Sequence, residues 1–167
     1  MNEQGRELDR SAIVETYWPQ ISRAAKGYEN RPPQREELTQ DMAFALWRAL
    51  GNFAGQCKLN TYVYRVIHNV AVDHIRKSSK HNEDELADEH AHSTDSPEAN
   101  MQQQQKQYRL EKAIHQLPLS LRQVMLLKLE GVDTAEASDV LGISEANVGV
   151  RLHRAKTLLT EQLKENA

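Results

Sequence analysis

Two short helical patterns meet within residues 130–159, EGVDTAEASDVLGISEANVGVRLHRAKTLL. The first, over residues 134–141, is expected to end at Gly142, because glycine adopts the left-handed backbone of a helix terminus without a Cβ clash. Ser144 is suited to begin the second helix, since its hydroxyl can accept a free backbone N–H of the first turn. Helix, tight turn and helix in this order predict a helix-turn-helix.

The second of these helices separates apolar from basic side chains. Its apolar residues recur at helical spacing and predict one buried stripe: Val148, Leu152, Ala155 and Leu159. Amide and basic groups point elsewhere: Asn147, Arg151, Arg154 and Lys156. A helix that reads DNA needs such an apolar docking face and a basic face left outside. For this stretch alone, cations that only solvate a surface helix are an equally good interpretation.

Composition favours small helical bundles. Of the 167 residues 39% are hydrophobic, and there are only two Phe and two Trp. Sustained alternation of the kind a β-sheet shows is missing from the sequence. There is also no apolar run near the ~20 residues of a membrane span and no signal-peptide core at the start. A single cysteine, Cys57, cannot form an internal disulfide, so we expect a cytoplasmic protein without membrane contact of its own.

The acidity of the chain is concentrated in one segment. Residues 78–105 carry 1 Lys/Arg and 7 Asp/Glu, whereas residues 1–77 carry 11 and 9, and residues 106–167 carry 9 and 8. This segment lacks apolar periodicity and ends in a glutamine run, which is typical of a flexible tether. We therefore predict an all-α fold: two small helical bundles, residues 1–77 and 106–167, joined by a flexible acidic linker, with the helix-turn-helix in the C-terminal bundle.

Metal binding and catalysis are not expected. His81, His90 and His92 lie in the linker, but together with Cys57 their spacing matches no closed zinc pattern. The sequence has no glycine-rich phosphate loop, no nucleophile motif and no catalytic carboxylate pair. We predict no metal, no cofactor and no enzymatic activity.

Two stretches of the first bundle carry polar faces. The helix predicted over residues 34–50 places Gln40, Asp41 and Arg48 opposite its apolar stripe, which suits either simple solvation or a docking surface for another protein. A Gly- and Asn-rich loop follows, and the next helix begins near Thr61. Aromatic, amide and basic groups around a short loop can hold single-stranded bases. The alternative is that Tyr62 and Tyr64 complete a small core.

The sequence resembles the extracytoplasmic-function (ECF) group of bacterial sigma factors in three segments. ELTQDMAFALWRAL, residues 37–50, resembles the helix of that family which binds core RNA polymerase. NFAGQCKLNTYVYRVIHNVAVDHIRKS, residues 52–78, resembles the loop and helix that melt and read the downstream promoter element. AIHQLPLSLRQVMLLKLEGVDTAEASDVLGISEANVGVRLHRAK, residues 113–156, resembles the domain that reads the upstream element. Two domains in this order, separated by a variable linker, are highly specific for the family.

This resemblance implies a transcription initiation factor whose partners are core RNA polymerase, promoter DNA (duplex and non-template single strand) and an anti-sigma factor. It assigns polymerase contacts to Leu38, Gln40, Asp41 and Arg48. It assigns the downstream element and melting to Phe53, Tyr62, Tyr64, Arg65, Asn69, Asp73, Arg76 and Lys77. It assigns the upstream element to Ser144, Asn147, Arg151, His153, Arg154 and Lys156.

The chain departs from the family pattern at several positions. Gly149 and Val150 stand where the family carries a basic and a small polar residue, and neither can donate a side-chain hydrogen bond to a base. Tyr62 stands where the melting helix conventionally has tryptophan. Two alternatives therefore stay open: a sigma-like regulatory protein that does not start transcription, and a stand-alone helix-turn-helix regulator, which would not need residues 34–77.

Overall fold

The computed structural model describes residues 9–82 and 101–165, and every regular element in these two ranges is an α-helix. The helices are α1 (Arg10–Thr16), α2 (Trp18–Tyr28), α3 (Pro32–Leu50), α4 (Leu59–Asn82), α5 (Met101–Gln116), α6 (Leu119–Leu129), α7 (Thr134–Leu141) and α8 (Glu145–Glu165). The predicted all-α class is confirmed. Helices also extend into both ends of the predicted linker. At the α5 end this fits the sequence, because methionine and glutamine are good helix formers. The middle of the linker, residues 83–100, lies outside the described residues.

Helices α1–α4 form the N-terminal bundle. Its interior is a cluster of fully buried side chains from α2, α3 and α4, including Ile21, Leu38, Met42, Leu46 and Ile67. Helix α3 begins at Pro32, where the missing N–H of proline costs no intrahelical hydrogen bond. Buried positions recur every three or four residues, so the polar residues between them face outward.

Helices α5–α8 form the C-terminal bundle, and its turn matches the predicted helix-turn-helix. Gly142 ends α7 with φ of 68°, and the backbone N–H of Asn147 donates to the Ser144 hydroxyl at 3.1 Å. Asp133 caps the start of α7 by accepting the Glu136 amide at 2.8 Å. The predicted stripe of α8 is internal at Val148, Ala155 and Leu159.

The two bundles pack against each other. Leu119 and Leu126 of α6 lie against the N-terminal core, while Tyr64 of α4 belongs to a cluster of the C-terminal bundle. Gly27 lies so close to α6 that a methyl group in its place would come within 2.5 Å of the Leu126 side chain.

Polar contacts surround this apolar interface. The Arg23 guanidinium pairs with Glu130 at 3.0 Å, and Lys26 pairs with Glu111 at 3.1 Å. The Arg122 guanidinium donates to the backbone carbonyl of Tyr28 at 3.4 Å. The interface therefore combines packing with matched charges.

Within the described residues, no helix is long and apolar enough to cross a membrane.

Candidate nucleic-acid interface

Most of the outward face of α8 is accessible. Arg154, His153 and Lys156 are exposed, and Arg151 is half-buried. In the part of the chain that the structure describes, no carboxylate forms an ion pair with these cations. The start of the helix is held by its Ser144 cap. This rigid, cationic helix face is suited to contact phosphates and base edges.

On α4, an exposed stripe contains four residues predicted to read DNA: Asn69, Asp73, Arg76 and Lys77. The first three follow one another at spacings of four and three residues, so they lie along one side of the helix. The stripe carries donors, acceptors and positive charge. Its residue types suit contacts to bases and phosphates.

The beginning of α4 is covered instead. Tyr64 is only 4% exposed, and burial, with Glu130 nearby, raises the pKa of its phenol to about 12. The Arg65 guanidinium donates to the Asp139 carbonyl of α7 at 2.9 Å. The Glu136 carboxylate accepts from the Asn60 amide at 3.0 Å and the Thr61 hydroxyl at 3.2 Å. Tyr64 and Arg65, predicted to contact DNA, therefore serve the contact between the bundles in this structure.

Phe53 and Tyr62 form a ring pair at the end of the loop before α4. Their ring centroids are 4.9 Å apart, and the Tyr62 hydroxyl donates to the Ala49 carbonyl at 2.7 Å. Both rings are half-buried. This anchored pair leaves part of each aromatic surface available for stacking.

A buried histidine, which the sequence analysis did not single out, holds α4 to α2. His68 is 2% exposed and its Nδ1 is hydrogen-bonded to the Tyr28 hydroxyl. Burial lowers the pKa of His68 to about 4 and raises that of Tyr28. The ring is thus neutral at physiological pH, and its Nδ1 shares a hydrogen bond with the Tyr28 hydroxyl.

A second polar anchor joins the turn after α2 to the far half of α4. The Glu29 carboxylate is bonded to Arg31 at 3.1 Å and to His74 Nε2 at 3.1 Å. Burial raises the pKa of Glu29, but the hydrogen bonds from Arg31 and His74 outweigh it and hold the pKa below its usual value. These contacts hold the far half of α4, which carries the exposed stripe, to the turn after α2.

The face of α3 predicted to bind a protein is exposed at Gln40, Asp41 and Arg48. The prediction that Leu38 contacts polymerase is wrong. Its side chain is 0% exposed in the N-terminal core, so it supports this face from inside. Phe44, 62% exposed, and Trp47, 40% exposed, extend the same face. No contact was predicted for either of them from the sequence.

Comparisons with known proteins identify the family. The family profile described as Sigma-70 region 2 matches residues 13–81, and the profile described as Sigma-70, region 4 matches residues 107–159. The ECF RNA polymerase sigma-E factor of Haemophilus influenzae is 22% identical over 97% of this chain and 91% of its own length. The ECF RNA polymerase sigma factor SigM of Mycobacterium tuberculosis is 23% identical over 86% of this chain and 71% of its own length. The chain belongs to the ECF group of sigma factors. It is a transcription initiation factor that directs RNA polymerase.

Solved structures share the fold of this sigma factor. CnrH, solved in complex with the cytosolic domain of CnrY, superimposes with a TM-score of 0.70 at 19% identity, over 98% of this chain and 93% of CnrH. The sigma factor RpoE of Bartonella quintana, solved with the anti-sigma factor NepR, also gives 0.70 at 19% identity, over 93% of this chain and 97% of RpoE. The likeness extends over both bundles.

A cleft of about 650 Å³ lies between α3 and α4 of the sigma factor. Asp41 lines one side, and Asp73, His74 and Lys77 line the other. Residues assigned separately to polymerase and to DNA therefore meet at one cleft. Spacing along each helix could not have revealed this, because it depends on how α3 packs against α4.

Among the described residues, no group of three or more His, Cys, Asp and Glu side chains could hold a metal ion. Cys57 is a half-buried free thiol. The positions of His90 and His92, and the side chain of His81, lie outside the described part of the chain.

Proposed function

We propose that the sigma factor divides promoter recognition between its bundles. Residues 1–77 bind core RNA polymerase and melt the downstream element, residues 106–167 bind the upstream duplex, and residues 78–105 link the two. The exposed basic face of α8, opposite a fully apolar inner stripe, supports this proposal most directly. A helix built in this way is suited to the major groove.

In the upstream element, Arg151 and Arg154 contact phosphates or base edges, with Asn147 and His153 beside them. Arginine recognises phosphate and guanine edges through two parallel N–H donors. Lys156 approaches the backbone as a point charge. The Ser144 cap fixes the first turn of α8, which is the part of a recognition helix that meets the bases.

In the downstream element, the stripe Asn69–Asp73–Arg76 meets the strand that is to be separated, and Lys77 contacts its backbone. The Phe53–Tyr62 ring pair forms a wall on which an unstacked base can rest, and such stacking is worth ~1–3 kcal/mol per base. Extrusion of a base costs a few kcal/mol, so captured bases offset much of the cost of melting. Tyr64 and Arg65 join this surface after the C-terminal bundle moves away from α4.

Core polymerase binds the outer face of α3. Gln40, Asp41 and Arg48 supply its polar contacts, while Phe44 and Trp47 supply aromatic surface. Aromatic and arginine side chains carry much of the binding energy at protein interfaces. Arg48 already lies over the Phe44 ring, with 5.8 Å between the guanidinium and the ring centroid.

The sigma factor acts in the cytoplasm, where polymerase and promoters are located, and an anti-sigma factor holds it inactive. The crystallised relative RpoE was captured with an anti-sigma factor, and CnrH with a cytosolic domain.

Transcription by reconstituted polymerase tests the proposal. The purified chain with core polymerase should give run-off transcripts from a subset of a genomic promoter library. Asp41→Ala should weaken polymerase binding, and Arg154→Ala should weaken promoter binding with polymerase binding retained. Polymerase binding without any transcript would favour the non-initiating regulator, and sequence-specific DNA binding without polymerase binding would favour the stand-alone regulator.

A further inference from the structure

Val150 lies on the outermost line of α8. Successive residues of an α-helix are rotated by about 100°, which places Val150 opposite the stripe formed by Val148, Ala155 and Leu159. Its side chain is 48% exposed. Because Ala146, one turn earlier, is also exposed, the centre of the recognition face is apolar in its first two turns.

Internal packing does not account for this apolar centre. A Cβ atom added at Gly149 would meet nothing within 4 Å, so the fold does not require glycine there. Glycine inside a helix is destabilising relative to alanine, and an exposed β-branched side chain adds little to helix stability. Together, Gly149 and Val150 form a low, apolar strip that lets another surface approach closely.

Cationic and amide groups border this strip. Arg151, Arg154 and Asn147 stand on one side of Val150, and His153 and Lys156 stand on the other. A protein partner that covered an apolar strip would have to accommodate these cations as well. A polyanion is favoured because positive groups flank both sides of the strip.

A valine side chain can distinguish one feature of a base pair in the major groove. It has no donor or acceptor, and the only apolar group at the base edges is the C5-methyl of thymine. On the basis of the proposed function, we infer that Val150 contacts the C5-methyl group of a thymine in the upstream element. Gly149 leaves the space that lets the helix lie close enough for this contact. Val150 is then a specificity-determining residue, used in place of a hydrogen-bonding one.

Removal of a single methyl group tests this inference. The upstream element is first selected from a duplex library with the complete sigma factor bound to core polymerase. Each thymine of the selected duplex is then replaced by deoxyuridine, which removes only the C5-methyl. One replacement should weaken binding by the wild-type holoenzyme about fourfold, the effect of one buried methyl or methylene group.

The same replacements are measured with Val150→Ala and with Leu163→Ala. Leu163 is a matched control, because it is also an exposed apolar residue of α8 but lies near the end of the helix. Val150→Ala should bind the thymine and deoxyuridine duplexes within about 1.5-fold of each other at the sensitive position. Leu163→Ala should keep the fourfold difference. Thermal melting checks that both variants are folded.

Two results would overturn the inference, and they are distinguishable. If a sequence is selected but no deoxyuridine replacement weakens binding, or if Val150→Ala keeps the full methyl effect, Val150 does not read thymine and the proposed function stands. If no upstream sequence is selected at all, the proposed function of the C-terminal bundle fails, and the inference fails with it.

Discussion

Helices α4 and α8 carry the same kinds of residue but use them differently. On α8 the basic and imidazole groups of Arg154 and His153 are exposed. On α4 the corresponding kinds of group are partly internal: His68 is buried against Tyr28, and Arg65 is bonded to the neighbouring bundle. Helix α8 therefore exposes its polar residues, while α4 uses several of its own in contacts that hold it within the fold.

The contrast arises from what each helix packs against. Helix α8 meets its own bundle along one apolar stripe, so the side chains of His153, Arg154 and Lys156 stay outside. Helix α4 lies between α2, α3 and the docked α7, and a helix covered on several sides must pair the polar groups that become buried. The face of α8 proposed for the upstream element is thus preformed, and part of the α4 face proposed for the downstream element depends on how the bundles are arranged.

The largest expected effect is at the anchor of α4. Glu29→Ala removes the partner of Arg31 and His74 and should lower the free energy of unfolding by about 2–3 kcal/mol. Urea unfolding at neutral pH measures the change. Glu37→Ala is the matched control on exposed α3 surface and should change stability by less than about 0.5 kcal/mol. Equal effects of the two variants would mean that Glu29 is not an anchor.

On α8 the expected effect is on binding and not on stability. Arg154→Ala should weaken upstream-duplex binding by about 1–3 kcal/mol, which is the range for a base contact, with the unfolding curve unchanged. Lys164→Ala, on an exposed position near the end of α8, should leave binding nearly unchanged. A loss of stability in Arg154→Ala would show that this helix, too, needs its polar groups for folding.

The pH dependence of stability should distinguish the buried histidine of α4, His68, from the exposed histidine of α8, His153. Burial holds the pKa of His68 at about 4 in the fold, against about 6.5 in the unfolded chain. The unfolded state therefore takes up the proton first, so stability is complete above about pH 6.5 and falls by an amount on the order of 2 kcal/mol as the pH approaches 4. Burial also lowers the pKa of His115, which adds to the loss in the same range.

Urea unfolding at several pH values measures this loss. His68→Gln should flatten the decline between pH 6.5 and 4, because the buried ionisable ring is gone. His153→Gln should leave the decline as it is in the wild type, since His153 is exposed. If both variants follow the wild-type curve, the acid sensitivity has another origin.

The smallest expected effect concerns the covering of α4 by the other bundle. Arg23→Glu reverses one member of the Arg23–Glu130 pair and should weaken docking by about 0.5–1 kcal/mol, since Arg23 is largely exposed. Hydroxyl-radical footprinting should then detect increased modification of Tyr64. Arg23→Glu combined with Glu130→Arg restores opposite charges and should restore protection. Unchanged protection in the single variant would show that the apolar contacts alone hold the bundles together.

The helix-turn-helix could be predicted from sequence because its determinants are local. Gly142 and Ser144 act within one turn of their own positions, and the stripe of α8 follows directly from helical spacing. Helical spacing could also have placed Phe44 and Trp47 on the outer face of α3. Exposed aromatic residues on a predicted docking face are a signal in themselves, but no contact was predicted for these two.

The burial of Tyr64 and Arg65 could not be predicted in this way. Tyr64 is buried by the apolar cluster that it joins in the C-terminal bundle, and Arg65 is covered through its bond to Asp139; these partners are at least sixty residues away along the chain. The anchors at His68 and Glu29 are equally non-local. Leu38 fits the apolar spacing of α3, which predicts burial, and also lies in the segment that resembles the polymerase-binding helix, which predicts a contact. The packing of α3 against α2 and α4 places it in the core.

Gly27 gives the sigma factor a point of adjustment at the contact between its two bundles. The absence of a Cβ at Gly27 lets the Leu126 side chain approach the α2 backbone closely, so a side chain added here has to displace the Leu126 methyl groups or push the bundles apart. A graded series from alanine to leucine would hold the halves progressively ajar with both reading helices chemically intact. Substitution at a single codon would then change how readily the bundles separate without replacing any side chain proposed to contact DNA.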